Sequence, residues 1–460
     1  MAAPPTPTPD VRPVPFREGL RTWMRIGLLS FGGPAGQIAV MQRILVDEKR
    51  WIGQDRFLHA LNYCMLLPGP EATQLVTYIG WLMHRVWGGI AAGVLFVLPG
   101  FISILALSLI YAAYGDTPAV EAAFFGLKPA VLAIVLAAVI RIGRRALRGW
   151  APLCIASTAF VAMFFFALPF PVVIAFAAAA GLLFGRFKPG SMQAKGLGSK
   201  GDHPKEGLID QLATAGMLRH AEPSARKSLA TLAIWGTLWW GPIALLAVLT
   251  GPSSVWTTLG VFFSKAAVVT FGGAYAVLAY LAQQAVEHYH WVTAPEMLDG
   301  LGMAETTPGP LIQVVQHVGF MAGVRDAGGL PPLLAGTLAA VLVTWVTFVP
   351  CFLWIFLGGP YVEALREQRS LRNALAGITA AVVGVVLNLA IWFALHVLFG
   401  TVGRTEYGPL RLWTPDPATL DWRAVVVAAV ACFLVFAARW GTLAVLGASV
   451  VIGAVLWLGT

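Results

Sequence analysis

Apolar stretches of about 20 residues recur along nearly the whole chain, separated by short polar or basic segments. As a helix, a stretch of that length crosses the roughly 30 Å hydrocarbon core of a bilayer. The pattern predicts spans at about 20–41, 57–83, 87–114, 119–140, 150–167 and 169–185, a single span at 229–250, and then spans at 256–282, 297–323, 332–357, 374–398, 424–438 and 440–458. The expected fold is an all-α polytopic membrane protein with about thirteen transmembrane segments.

The run 57–83 contains Pro68-Gly69-Pro70, flanked by Asn62, Glu71 and Gln74. Each Pro removes an amide donor and the Gly adds backbone freedom, so no α-helix continues through. In hydrocarbon each freed backbone group costs several kcal/mol unless protein, water or a ligand satisfies it. A second break, Ser30-Phe31-Gly32-Gly33-Pro34, interrupts the run 20–41. Both motifs return 240 residues later, as Thr270-Phe271-Gly272-Gly273 and Thr307-Pro308-Gly309-Pro310. Trp51 and Trp291 keep the same offset, and Arg25 falls on Lys265. One register held through separate motifs indicates an internal duplication. The plan is then a tail (1–15), a first repeat (16–185), a linker (186–228), a connecting span (229–250) and a second repeat (251–460).

The chain is 58% hydrophobic and only 12% charged, with mean hydropathy +0.75. That is half the charged fraction of an ordinary soluble domain, about 25%. The net charge of +9 does not indicate nucleic acid, because Lys and Arg cluster between spans as in cytoplasmic loops facing anionic lipid. Arg141, Arg144, Arg145 and Arg148 follow the fourth span, whereas Arg366, Arg369 and Arg372 follow the third span of the second repeat. Both clusters are cytoplasmic if the repeats have inverted topology, the N-terminus and linker are cytoplasmic and the C-terminus is periplasmic. The loop 42–56 fits that rule least well. A re-entrant hairpin at a broken run such as 57–83 stays open and would change the count. Residues 1–15 lack the apolar core of a cleavable signal peptide and read as a disordered tail, and 186–228 reads as a flexible, basic linker. The four Cys are scattered through apolar runs, and no metal-ligand spacing, P-loop or nucleophile elbow is visible. No metal, cofactor or enzymatic activity is therefore expected.

Discontinuous membrane helices mark the substrate sites of many transporters, because a half-helix N-terminus offers amides and positive dipole to an anion. Ser30, Gly32, Gly33, Thr270, Gly272 and Gly273 are binding candidates at one pair of breaks. Asn62, Pro68, Gly69, Pro70, Gln74, Thr307 and Gly309 are the candidates at the other. Arg25, Lys265 and Lys128 are candidate cations, although Arg25 and Lys265 also suit snorkelling to the interface. Glu71 follows the first Pro-Gly-Pro and Glu305 precedes the second. Either a proton-coupling role or capping of a half-helix suits these acids.

The strings SFGGPAGQIAVMQ (30–42), FLHALNYCMLLPGPEATQLVTYIGW (57–81) and GVLFVLPG (93–100), with FGGAYAVL and TTPGP in the second half, resemble the chromate ion transporter family in its long, two-domain form, over about residues 16–460. The resemblance implies an inner-membrane carrier that exports chromate and confers resistance to it, by exchange or with proton-motive force, and that is sensitive to sulfate. It maps the family's FGGP and PGPE motifs onto Gly32, Gly33, Pro34, Pro68, Gly69, Pro70 and Glu71. The second copy departs from it, with Ala274 and Leu311 at the places of Pro34 and Glu71. The partners implied are a chromate- or sulfate-like oxyanion, protons and lipid, and a homodimer is compatible with the sequence. Two other classes stay open: a membrane-embedded enzyme or scramblase acting on lipid phosphates, and a non-transporting sensor using the linker.

Overall fold

The computed structural model describes residues 13–115, 117–187, 207–271, 274–362 and 369–459, except the side chains of residues 219, 276 and 369. The first twelve residues, the first part of the linker, Gly272, Gly273 and Arg366 lie outside the described residues. The first half runs α1 (Phe16–Leu29), α2 (Gly33–Gln42), α3 (Gln54–Cys64), α4 (Glu71–Tyr114), α5 (Pro118–Ala146), α6 (Trp150–Phe164) and α7 (Phe170–Phe187). A short helix α8 (Leu208–Thr214) and the long α9 (Ala225–Thr250) follow. The second half runs α10 (Val255–Val269), α11 (Ala274–Ala282), α12 (Ala294–Thr306), α13 (Val314–Arg325), α14 (Pro332–Gly358), α15 (Arg369–Leu398), strands β1 (Val402–Tyr407) and β2 (Leu410–Pro415), α16 (Trp422–Phe436) and α17 (Thr442–Leu458).

Six of the described helices are long and apolar enough to cross a membrane, and four shorter apolar helices accompany them. The protein is a multi-pass membrane protein. Helix α9 shows why its surface needs lipid: only Trp239 and Ile243 are buried, while Leu229, Leu232, Ile234, Leu245, Val248 and Leu249 face outward. Such an apolar surface is costly in water and at ease in hydrocarbon.

Local backbone features recur at the 240-residue offset. A π-helical turn closes α2 at Arg43–Glu48 and another closes α11 at Gln283–His288. Arg50 and His290 both take a left-handed backbone, at φ 52° and 54°. Interleaving of the halves rests on small residues. Helix α5 packs against α16 and α17, and α15 packs against α6 and α7. A Cβ on Gly126 of α5 would overlap the Ser449 carbonyl of α17, and one on Gly377 of α15 would overlap the Ala177 carbonyl of α7. Backbones this close are the means by which membrane helices gain dispersion energy in the absence of a hydrophobic drive.

The breaks fall where the sequence places them: Pro68-Gly69-Pro70 separates α3 from α4, and at His84 and Arg85, between the expected spans 57–83 and 87–114, α4 leaves helical geometry and folds back so that Gly80 lies against Gly88 and Ala92. Two other features were not expected. The linker is not solvated loop throughout. The Leu208 and Ile209 amides donate to the Arg50 and Trp51 carbonyls, and Asp210 accepts from the Gly53 amide and from Arg56. The fold is all-α in class, with one unexpected addition, an antiparallel hairpin of β1 and β2 after α15. Gly408 turns it at φ 60°, and Arg411 ties it to Glu287 at 2.8 Å.

Candidate functional site

The two kinds of break meet across the halves. The Gly69 amide of the first Pro-Gly-Pro donates to the Thr270 carbonyl at 2.8 Å. The Gly309 amide of the second donates to the Ser30 carbonyl, also at 2.8 Å. Gly69 and Gly309 sit at φ 117° and 104°, a region essentially open only to glycine. The Ser30 and Thr270 hydroxyls each donate to a carbonyl four residues back, of Ile26 and Ala266, at 2.6 Å. That bond satisfies a helix-end carbonyl and leaves each hydroxyl oxygen able to accept. Gly32 and Gly33, both at positive φ, turn the chain into α2, where Pro34 suits the first turn.

Side chains around this crossing carry an excess of unmet polar atoms. Thr73 Oγ1, Gln74 Oε1, Glu305 Oε2 and Gln313 Oε1 are buried without a partner. Each such atom costs about 1–3 kcal/mol, and their gathering marks a place where water or a ligand belongs. Gln74 Nε2 donates to the Pro68 carbonyl at 2.6 Å, and Gln37 Nε2 to the Gly309 carbonyl at 2.8 Å. Glu305, 1% exposed, accepts from the Tyr275 hydroxyl at 2.7 Å, and a Cβ on Gly33 would sit 3.3 Å from that hydroxyl oxygen. Glu305, Gly33, Ser30 and Gly309 are thus brought together. The cavity beside the crossing is small and mostly apolar, bounded by Pro70, Phe263, Thr270 and Ile312. In this conformation the breaks are closed upon each other.

Other candidates are placed elsewhere. Arg25 Nη1 pairs with Glu48 Oε2 at 2.8 Å with half its side chain exposed, and Lys265 and Asn62 are exposed. Glu71 begins α4, where a carboxylate complements the helix dipole. Thr307 is buried and its hydroxyl donates to the Met303 carbonyl. Gly272 and Gly273 lie outside the described residues. Lys128, on α5, reaches Asp299 Oδ2 of α12 at 3.3 Å, and the Tyr111 hydroxyl of α4 donates to the same oxygen at 3.0 Å. Ser108 and His317 Nδ1 join this cluster at 3.0 Å. Asp299, Tyr111, Tyr275 and Gln37 are absent from the sequence-derived set. Asp299 left a signal, an acid within the apolar run 297–323, whereas Tyr275 has only Ala35 at its repeat position.

The sequence model of the chromate transporter family matches residues 18–182 and 257–454, covering both halves and their breaks. The chain belongs to the chromate transporter family. Among curated relatives, the chromate transport protein of Pseudomonas aeruginosa is 31% identical over 86% of this chain and 86% of its own length. The chromate transport protein of Cupriavidus metallidurans is 27% identical over 82% of each chain. A probable chromate transport protein of Synechococcus elongatus is 26% identical over 89% of this chain and 93% of its own. No solved structure matches the chain. Family membership supports a role in chromate transport, and the chemistry of an oxyanion is the one against which the crossed breaks are to be judged.

Proposed function

We propose that this chain exports chromate, a tetrahedral dianion, across the inner membrane by alternating access between two inverted repeats, and so confers chromate resistance. The reciprocal hydrogen bonding of the breaks supports this most. Each half's Pro-Gly-Pro amide is held by the other half's Ser/Thr-Phe-Gly-Gly carbonyl. Rocking one half against the other parts both bonds at once, which frees two amides at half-helix starts beside the unpartnered Thr73, Gln74 and Gln313 atoms. An oxyanion then replaces the two carbonyls as acceptor. Amides and dipoles hold a dianion less tightly than a dense cluster of cations, so it is also released. In this reading Glu71 and Glu305 carry the coupling proton, and the C-terminus is periplasmic.

Sulfate shares chromate's charge and shape, and a sulfate carrier is the alternative that this geometry equally suits. Inverted membrane vesicles decide the matter. Labelled chromate uptake is expected to saturate and to be competed by sulfate. Absence of saturable chromate uptake, with sulfate accumulating instead, would move the assignment to sulfate, and accumulation of neither would end the transport reading.

A further inference from the structure

A second polar place in the molecule lies apart from the crossed breaks. A groove of about 530 Å³ opens between α5, α12, α15 and α16, with Lys128, Pro129, Pro295, His396, Asp421 and Arg423 in its wall. Its positive groups are unequally committed. Arg423 stacks its guanidinium 5.2 Å from the Phe125 ring centre and bonds Asp421, the residue that caps α16. Lys128 is held only loosely, 3.3 Å from Asp299 Oδ2, and a quarter of its side chain is exposed to the groove. Asp299 itself is 2% exposed, one helical turn below Pro295, and its Oδ1 is buried with no partner.

We infer that the groove is an oxyanion vestibule in which Lys128 exchanges Asp299 for the anion, and that Asp299 takes up a proton when it does. This rests on the transport reading above and adds to it a second binding site and a coupling acid. In the anion-free form the Lys128 ammonium and the Asp299 carboxylate neutralise each other. When Lys128 turns to a dianion in the groove, Asp299 would be left as a buried charge with no counter-ion, a state that proteins avoid by protonation. Oδ1 is the atom on which that proton sits, since neither existing contact uses it. The Lys128–Asp299 pair starts neutral, the dianion adds two negative charges and the proton one positive, so the loaded groove carries one net negative charge, which Arg423 in its wall faces.

The groups facing this exchange come from every helix packed there. On α4 Tyr111 donates to Asp299. On α13 His317 stacks edge-on against Tyr111, and Arg325 donates from Nη2 to both carboxylate oxygens of Glu296, one turn before Asp299. On α15 and α16 His396, Asp421 and Arg423 line the groove, and α17 presents no titratable residue. Arg325 and Glu296 satisfy each other and Arg423 is shared with Asp421, so Lys128 is the cation whose release changes the balance. By linkage, if anion binding draws a proton, raising the pH weakens anion binding.

Purified protein in weakly buffered detergent solution tests this, with chromate added at a pH where it is wholly the dianion and proton uptake followed by an indicator dye. The wild-type protein is expected to take up about one proton per anion bound at this site, with affinity falling up to tenfold per pH unit. Asp299→Asn is expected to bind chromate with no proton uptake and a flat pH dependence. Glu305→Gln should still take up the proton. Lys128→Gln should lose affinity about tenfold or more. Chromate binding without proton uptake by the wild-type protein, or uptake retained by Asp299→Asn, would overturn the proposal. If Asp299→Asn does not assemble, Lys128→Gln decides, since wild-type affinity and proton uptake in that variant would overturn it equally. No chromate binding at all by wild-type protein would refute the transport reading, and this proposal with it.

Discussion

The two halves of the molecule share the backbone bonding of their breaks and differ in the chemistry around them. At the crossed breaks the amide-to-carbonyl distances are 2.8 Å on both sides and the hydroxyl-to-carbonyl distances 2.6 Å on both. The side chains around them do not repeat. Gln37 reaches across to the Gly309 carbonyl, whereas the equivalent position 277 is Val. Glu71 starts a helix after the first break, whereas Glu305 ends a helix before the second and bonds Tyr275. Asp299 and His317 fall opposite His59 and Thr77. Duplication supplied a symmetric frame in which backbone groups satisfy each other. The ionisable groups differ on that frame, and the proposed export with a coupling proton makes use of that difference.

The frame is expected to fail alike in both halves. Gly126→Leu and Gly377→Leu each drive a side chain into the backbone of the facing helix, which has no room to yield. Both should abolish monodisperse protein in detergent. Tolerance of one with loss through the other would show that the halves do not depend equally on close packing. At the breaks, the smaller effects should be unequal. Ala at either Gly69 or Gly309 carries the strain of a positive φ, about 1–3 kcal/mol. The new Cβ at 309 also meets the backbone of Gly100 at 3.2 Å, which cannot turn aside, whereas at 69 it meets Gln74 Nε2 at 2.9 Å, a side-chain end that can turn aside by giving up its bond to the Pro68 carbonyl. Thermal unfolding should therefore show Gly309→Ala to be less stable than Gly69→Ala, and the reverse order would break the comparison.

Much of the frame was legible in the sequence. Run length reports exposure to lipid, and Pro and Gly report where a helix cannot continue, so the breaks and their common offset were visible as local properties. The break at His84 and Arg85 was legible only as a gap between the spans 57–83 and 87–114; its positive-φ backbone was not, because neither residue forbids a helix. The docked helix α8 escaped notice because its partners, Arg50–Arg56, lie about 150 residues earlier in the chain. The hairpin was hidden in the polar stretch between α15 and α16. Among candidate residues, Lys128 stood out as a cation in an apolar span, but its partner did not, since an ion pair between two spans is a tertiary fact. Arg25 also stood out, and its pairing with Glu48 depends on how the π-helical turn presents that acid.

The central claim is that the two crossed breaks part together as the protein works. Amide hydrogen exchange at Gly69 and Gly309, read in proteoliposomes with and without a chromate gradient, tests it most directly. Both amides are expected to be protected at rest and to exchange faster, in step, during turnover. Chromate moving at its full rate while either amide stays as protected as at rest would contradict the account.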